Sequence, residues 1–125
     1  MIQFVFDEKA EVIRITYTGE INIEDYSHLF KTLVEVNSTK PFPKNLLVLS
    51  DYRKAHASFV PKDMGELWSL MEQHFVLIES IKEAMLHSSP YETALSEIAA
   101  KNIPDNRYEM KIFSYETNAI KWLIS

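Results

Sequence analysis

Leu46-Leu47-Val48-Leu49-Ser50-Asp51-Tyr52-Arg53 is the stretch that decides how this chain folds. Its first four residues form a short, continuous apolar run. Such a run suits a strand covered on both sides, the usual situation in a parallel sheet flanked by helices. It is therefore the expected centre of a sheet, and the polar residues after it mark the end of the strand.

Working outward toward the N-terminus, Lys40-Pro41-Phe42-Pro43-Lys44 is a proline-rich connection too short to separate domains. Before it, Tyr26, Leu29, Phe30 and Leu33 recur at three- and four-residue spacing, so a helix turns one stripe toward the core. Asn22 is its expected N-cap, with Glu24 and Asp25 in the first turn, where carboxylates suit the helix dipole. Residues 2–6 and 12–18 are two apolar, β-branched runs, and Asp7-Glu8-Lys9-Ala10-Glu11 between them has hairpin length. Arg14, Thr16 and Thr18 alternate with apolar partners, so one face of the second strand should be wetter than the other. Gly19 is read as the end of the hairpin.

Toward the C-terminus, Pro61 can open a helix because its missing N–H is not needed at the first helical position. Met64, Leu67, Trp68, Met71, Phe75 and Ile78 extend an apolar stripe that predicts a helix from about 61 to about 79. Ala84-Met85-Leu86 reads as a brief buried strand. Ser89-Pro90-Tyr91-Glu92 combines a capping box with proline at the first helical position. Ala94, Leu95, Ile98 and Ala99 give that helix a small-residue face, broken by Asn102, Pro104 and Asp105. An alternating strand then passes through Phe113 and Ser114 into a short helix with Ala119, Trp122 and Leu123 on one face. The order β-β-α-β-α-β-α-β-α predicts an α/β fold over residues 1–125, with a mixed five-stranded sheet, right-handed crossovers and four helices.

Composition narrows the function classes. The 125 residues fit one compact domain, and 46% apolar with 12% aromatic residues is ample for a single core. Eighteen acidic against 13 basic side chains give a formal charge of −5, which disfavours sequence-independent binding to nucleic acid. With no cysteine there is no disulfide framework, thiolate zinc site or cysteine nucleophile. The N-terminus lacks a basic segment followed by an apolar run, and no apolar stretch approaches the ~20 residues that span a bilayer. A cytoplasmic protein without a membrane span is expected.

Candidate chemistry is sparse. His28, His56, His74 and His87 show no metal-ligand spacing, no cofactor is implied, and no Gly-x-Ser-x-Gly elbow supports a hydrolase built from Ser50, Asp51 or His87. An enzyme is not expected. Asp51 and Arg53 lie just beyond the presumed central strand, where open α/β sheets place ligands, with His56 as a titratable neighbour. Phe59, Met64, Trp68 and Met71 are a candidate apolar pocket, although helical spacing of this kind ordinarily marks a core. Tyr108 and Tyr115 are candidates for a homodimer surface.

Several of these segments, taken in order, resemble one family. Gly19-Glu20-Ile21-Asn22-Ile23-Glu24-Asp25-Tyr26, Leu49-Ser50-Asp51-Tyr52-Arg53, Ser89-Pro90 with Thr93-Ala94-Leu95, and Phe113-Ser114 followed by Ala119 and Trp122-Leu123 are similar to the STAS-like, or SpoIIAA-like, domains of Bacteroidetes type. The resemblance implies a five-stranded sheet with four helices, related to anti-sigma-factor antagonists. It implies a non-catalytic regulatory or protein-interaction module with an unidentified protein partner. The alternative is a binder of a small apolar ligand or lipid in a Sec14-like manner. The antagonists carry an Asp-Ser-Ser-Gly-like phosphorylation motif; the resemblance puts Ser58 close to its phosphorylated position, where a phosphate would gain from the helix dipole and from Arg53, Lys54 or Lys62, although the acidic neighbour and the glycine are missing here.

Overall fold

The computed structural model describes residues 1–57, 66, 69–70, 79–101 and 107–125, with the backbone alone at 57, 91, 92, 95 and 98–100. Five strands form one sheet: β1 (Ile2–Asp7), β2 (Val12–Ile21), β3 (Asn45–Ala57), β4 (Ser80–Leu86) and β5 (Tyr108–Phe113). Their spatial order is their chain order, so β3 is central. The β1–β2 pair is antiparallel and every other pair is parallel. The expected mixed sheet is therefore present.

The expected helix count is corrected. Among the described residues there are three helices, α1 (Ile23–Thr39), α2 (Pro90–Lys101) and α3 (Glu116–Leu123), and not four. The helix predicted over 61–79 lies outside the described residues except at Glu66, Ser69 and Leu70, which are helical, and Glu79.

The N-terminal hairpin is closed by its own turn chemistry. Asp7 Oδ1 accepts hydrogen bonds from the N–H of Lys9 at 3.1 Å and of Ala10 at 3.2 Å. Glu11 takes the left-handed conformation at φ 56°. In β2, Ile13, Ile15 and Tyr17 are buried while Arg14, Thr16 and Thr18 are partly exposed, the predicted alternation. Gly19 does not end the strand. It sits inside β2 at φ 75°, just past a register shift between Thr16 and Thr18, and β2 runs on to the fully buried Ile21. Positive φ at a strand irregularity is a site where glycine costs least.

Helix α1 begins as its sequence predicts. The Asp25 N–H donates to Asn22 Oδ1 at 3.0 Å, and the Asn22 N–H donates to Asp25 Oδ2 at 2.9 Å, completing a capping box. Its stripe of Tyr26, Leu29, Phe30 and Leu33 packs on one face of the sheet against Ile13, Ile15, Tyr17, Leu46 and Val48. On the opposite face α3 sets Ala119 and Leu123 against Val12, Leu49, Ala84 and Leu86. The N-cap of α3 is the exposed Tyr115, which makes no side-chain cap bond. The Lys82 ammonium lies 4.5 Å from the Trp122 ring and donates to the Trp122 carbonyl at 2.7 Å, pinning the C-terminal end of α3. Among the described residues no helix is long and apolar enough to cross a membrane.

The two-sided cover of β3 has a measurable consequence. Leu49 is completely buried. Leu49→Ala should lower unfolding free energy by about 2–5 kcal/mol in urea titrations. Val5→Ala, at a position 66% exposed, should stay within about 0.5 kcal/mol of wild type.

Candidate functional site

The predicted polar site at the end of the central strand is a tight ion pair. Both Asp51 carboxylate oxygens are used: Oδ1 accepts from Arg53 Nε at 3.0 Å and from the Arg53 N–H at 3.1 Å, and Oδ2 accepts from Arg53 Nη2 at 2.8 Å. This two-pronged geometry favours both charged forms. The Arg53 hydrogen bonds accordingly hold the Asp51 carboxyl below its usual range, and Asp51 in turn raises the guanidinium. A second pair, Arg14 with Glu116 at the start of α3, lies close enough to be felt by Asp51 and Arg53 respectively. Four charges of balanced sign thus border the sheet where α3 begins. Half-exposed pairs of this kind contribute at most about 1 kcal/mol, so their effect is to fix side-chain positions more than to stabilise the fold.

The segment from Asp51 to Ala57, read from sequence as a loop, is strand. His56 is exposed on it, in register with Glu20. Ser88 Oγ donates to the Arg53 carbonyl at 3.1 Å and so ties the junction between β4 and α2 to β3 where it runs past β4. Ser58 and Lys62 of the candidate anion site, and Phe59, Met64, Trp68 and Met71 of the candidate apolar pocket, lie outside the described residues.

A second polar cluster, absent from the sequence reading, occupies the α1 face of the sheet. Glu83 accepts a hydrogen bond from Ser50 Oγ at 2.5 Å and another from the Tyr108 hydroxyl. Nearby, the Tyr26 and Tyr52 hydroxyls are 2.6 Å apart, and Tyr52 stacks on Tyr17 with ring centroids 4.0 Å apart. Burial pushes the Glu83 carboxyl up, opposed by its two hydroxyl donors, and pushes Tyr17, Tyr52 and Tyr108 well above the usual phenol range. The phenols are therefore neutral at every ordinary pH. His87 stacks on the far side of this group, 5.1 Å from Tyr52, and its Nε2 is 2.8 Å from Ser96 Oγ. Burial lowers its imidazole to about 4.

Alternation was the available signal for this cluster. Ile81, Glu83 and Met85 share one face of β4, as Ile13, Ile15 and Tyr17 do on β2, so a carboxyl sits where the pattern calls for an apolar residue. Reading only Ala84-Met85-Leu86 as strand cut Glu83 off from that pattern.

Two solved structures share this architecture. One is an uncharacterized protein of the DUF3478 family with a SpoIIAA-like fold from Shewanella loihica PV-4, at a TM-score of 0.68 and 17% identity over 98% of this chain and 93% of that one. The other is the Bacillus cell fate determinant SpoIIAA in its phosphorylated form, at a TM-score of 0.54 and 10% identity over 98% of each chain. No family model matches the sequence, and no curated protein does. At these identities the likeness establishes the fold: the chain is a SpoIIAA-like α/β domain, as the resemblance implied. The Bacteroidetes grouping has no support in either structure.

Glu83 makes stability depend on pH in a defined direction. Its folded carboxyl is raised above the ordinary value of 4.5, so the folded chain retains a proton that the unfolded chain gives up. The stability tied to that proton is full below pH 4.5 and is lost as pH rises through the folded value. Glu83→Gln keeps a hydrogen-bonding side chain and removes the titration. Its urea midpoint should exceed that of wild type at pH 8, with the difference closing toward pH 4.

Proposed function

We propose that this chain is a non-catalytic regulatory module that docks a cytoplasmic protein partner where β3 runs past the C-terminal end of β4, with Asp51 and Arg53 as its fixed polar contact. The observation that carries this reading is the ion pair itself. Three hydrogen bonds hold Arg53 to Asp51 on the central strand, at the edge where open sheets present their binding sites. A charged group fixed before contact loses little side-chain freedom when a partner arrives, which favours specific association. The fold supports the same reading, because it spans the whole length of a cell fate determinant whose structure was solved phosphorylated.

Ser58 is the proposed point of control. Phosphate there would add roughly two negative charges close in sequence to Arg53, Lys54 and Lys62. No enzymatic activity is proposed, since Asp51 and Arg53 satisfy each other and neither is left poised as a base or nucleophile.

The test is affinity capture from the source cells with the tagged chain, followed by binding measurements with the recovered protein made in pure form. Arg53→Ala should weaken that binding tenfold or more, about 1.4 kcal/mol, and Ser58→Glu should shift it measurably. Unchanged affinity for both variants would remove this edge of the sheet from consideration.

A further inference from the structure

Buried side-chain nitrogen and oxygen atoms in folded proteins nearly always have hydrogen-bond partners, and an exception calls for a reason. Among the described residues the exception is Nδ1 of His87, in a side chain that is only 4% exposed. Its other nitrogen faces Ser96 of α2 at 2.8 Å, and its ring lies at 20° to Tyr52 of β3. Its backbone N–H donates to the Phe113 carbonyl at the end of β5, at 3.2 Å. The next residue, Ser88, donates to the Arg53 carbonyl. Two consecutive residues therefore join the middle of β3 and the end of β5 to α2.

The neutral ring fits this setting, because an unprotonated Nδ1 merely forgoes an acceptor role. A protonated ring does not fit. Both nitrogens would then carry hydrogen, and Nδ1 would be a charged, buried donor with nothing to receive it. Among the described residues the groups facing the ring are the Tyr52 phenol from β3 and Ser96 from α2, while the Phe113 carbonyl of β5 is taken by the His87 backbone N–H. Farther along the same face stand the neutral phenols of Tyr17 and Tyr26, and Glu83, whose oxygens are already taken by Ser50 and Tyr108. Among the described contacts of the ring there is no carboxylate.

We propose that His87 is an acid-operated catch: neutral, it locks the junction of β4 and α2 against Tyr52 and Arg53 of β3 and the end of β5, and protonated, it releases that junction together with the Ser88 bond to the Arg53 backbone. The closed form holds the imidazole near 4, whereas a released ring returns to its ordinary 6.5. The closed form is thus fully favoured above pH 6.5 and loses ground as pH falls from 6.5 toward 4. Between pH 7.5 and pH 5 the opening equilibrium should rise about 30-fold.

Hydrogen exchange on the whole chain tests this without any partner, so the outcome is independent of the docking proposal. The amides to follow are His87, bonded to Phe113, and Thr93, bonded to Ser89 in the first turn of α2. After correction for intrinsic exchange rates, their protection should fall about 30-fold from pH 7.5 to pH 5, while the amide of Leu33 in α1 shows no fall of that size. His87→Phe keeps a flat ring against Tyr52 and cannot titrate, so its protection should not change with pH. Ser96→Ala should lower protection at every pH yet preserve the pH dependence. Nitrogen chemical shifts of the His87 ring in the wild-type chain give a readout that needs no variant, with an expected midpoint near 4. Constant protection in the wild type, an equal fall in His87→Phe, or a ring midpoint near 6.5 would each overturn the catch.

Discussion

A strand buried on both faces has no solvent to turn to, so its backbone must be satisfied by neighbours on both edges and its side chains by a layer above and a layer below. β3 is under that constraint. β2 and β4 complete its edges, both by parallel pairing, and parallel neighbours can be reached only by crossover connections. The crossover from β2 supplies α1 to one face, with Leu46 and Val48 beneath it. The opposite face, through Leu49, waits for α3 at the far end of the chain. The three-layer order follows from this one strand.

The two faces differ in their electrostatics. On the α3 side the charges are paired and reach solvent, as Arg14 with Glu116 and Asp51 with Arg53. On the α1 side the ionisable groups are pushed toward their neutral forms: a raised carboxyl at Glu83, raised phenols and a lowered imidazole at His87. Charge in this protein is thus sorted by layer. The face that meets solvent at the end of β3 keeps its ions, and the interior trades them for hydroxyl hydrogen bonds.

Much of this was legible in the residues. The continuous run at Leu46–Leu49 located the centre of the sheet, Asn22 announced its capping box, and Pro90 marked the start of α2, because each of these signals is local. Asp51 and Arg53 were singled out as neighbours, but the strand that carries them was not, because the apolar run that marked it stops at Leu49. The Glu83 cluster was not legible, since Ser50, Glu83 and Tyr108 meet only after three parallel strands are set in register. The same holds for His87, whose burial depends on Tyr52 and Ser96 arriving from other elements.

The register shift between β2 and β3 has a reach beyond its size. Before it, partners differ by 35 in number, as Val12 and Leu47 do (47 − 12 = 35); after it they differ by 36, as Thr18 and Lys54 do (54 − 18 = 36). Two residues of β3, Tyr52 and Arg53, therefore stand opposite the single residue Tyr17. Tyr52 turns into the aromatic stack and Arg53 turns out to Asp51. With an unbroken register Gly19 would face Lys54, carrying a lysine toward the α1 core; with the shift it faces Ala55, which is buried there. The irregularity behaves like a frameshift confined to one pair of strands, and the ion pair of Asp51 with Arg53 and the apolar interior of this domain are both read in the frame it sets.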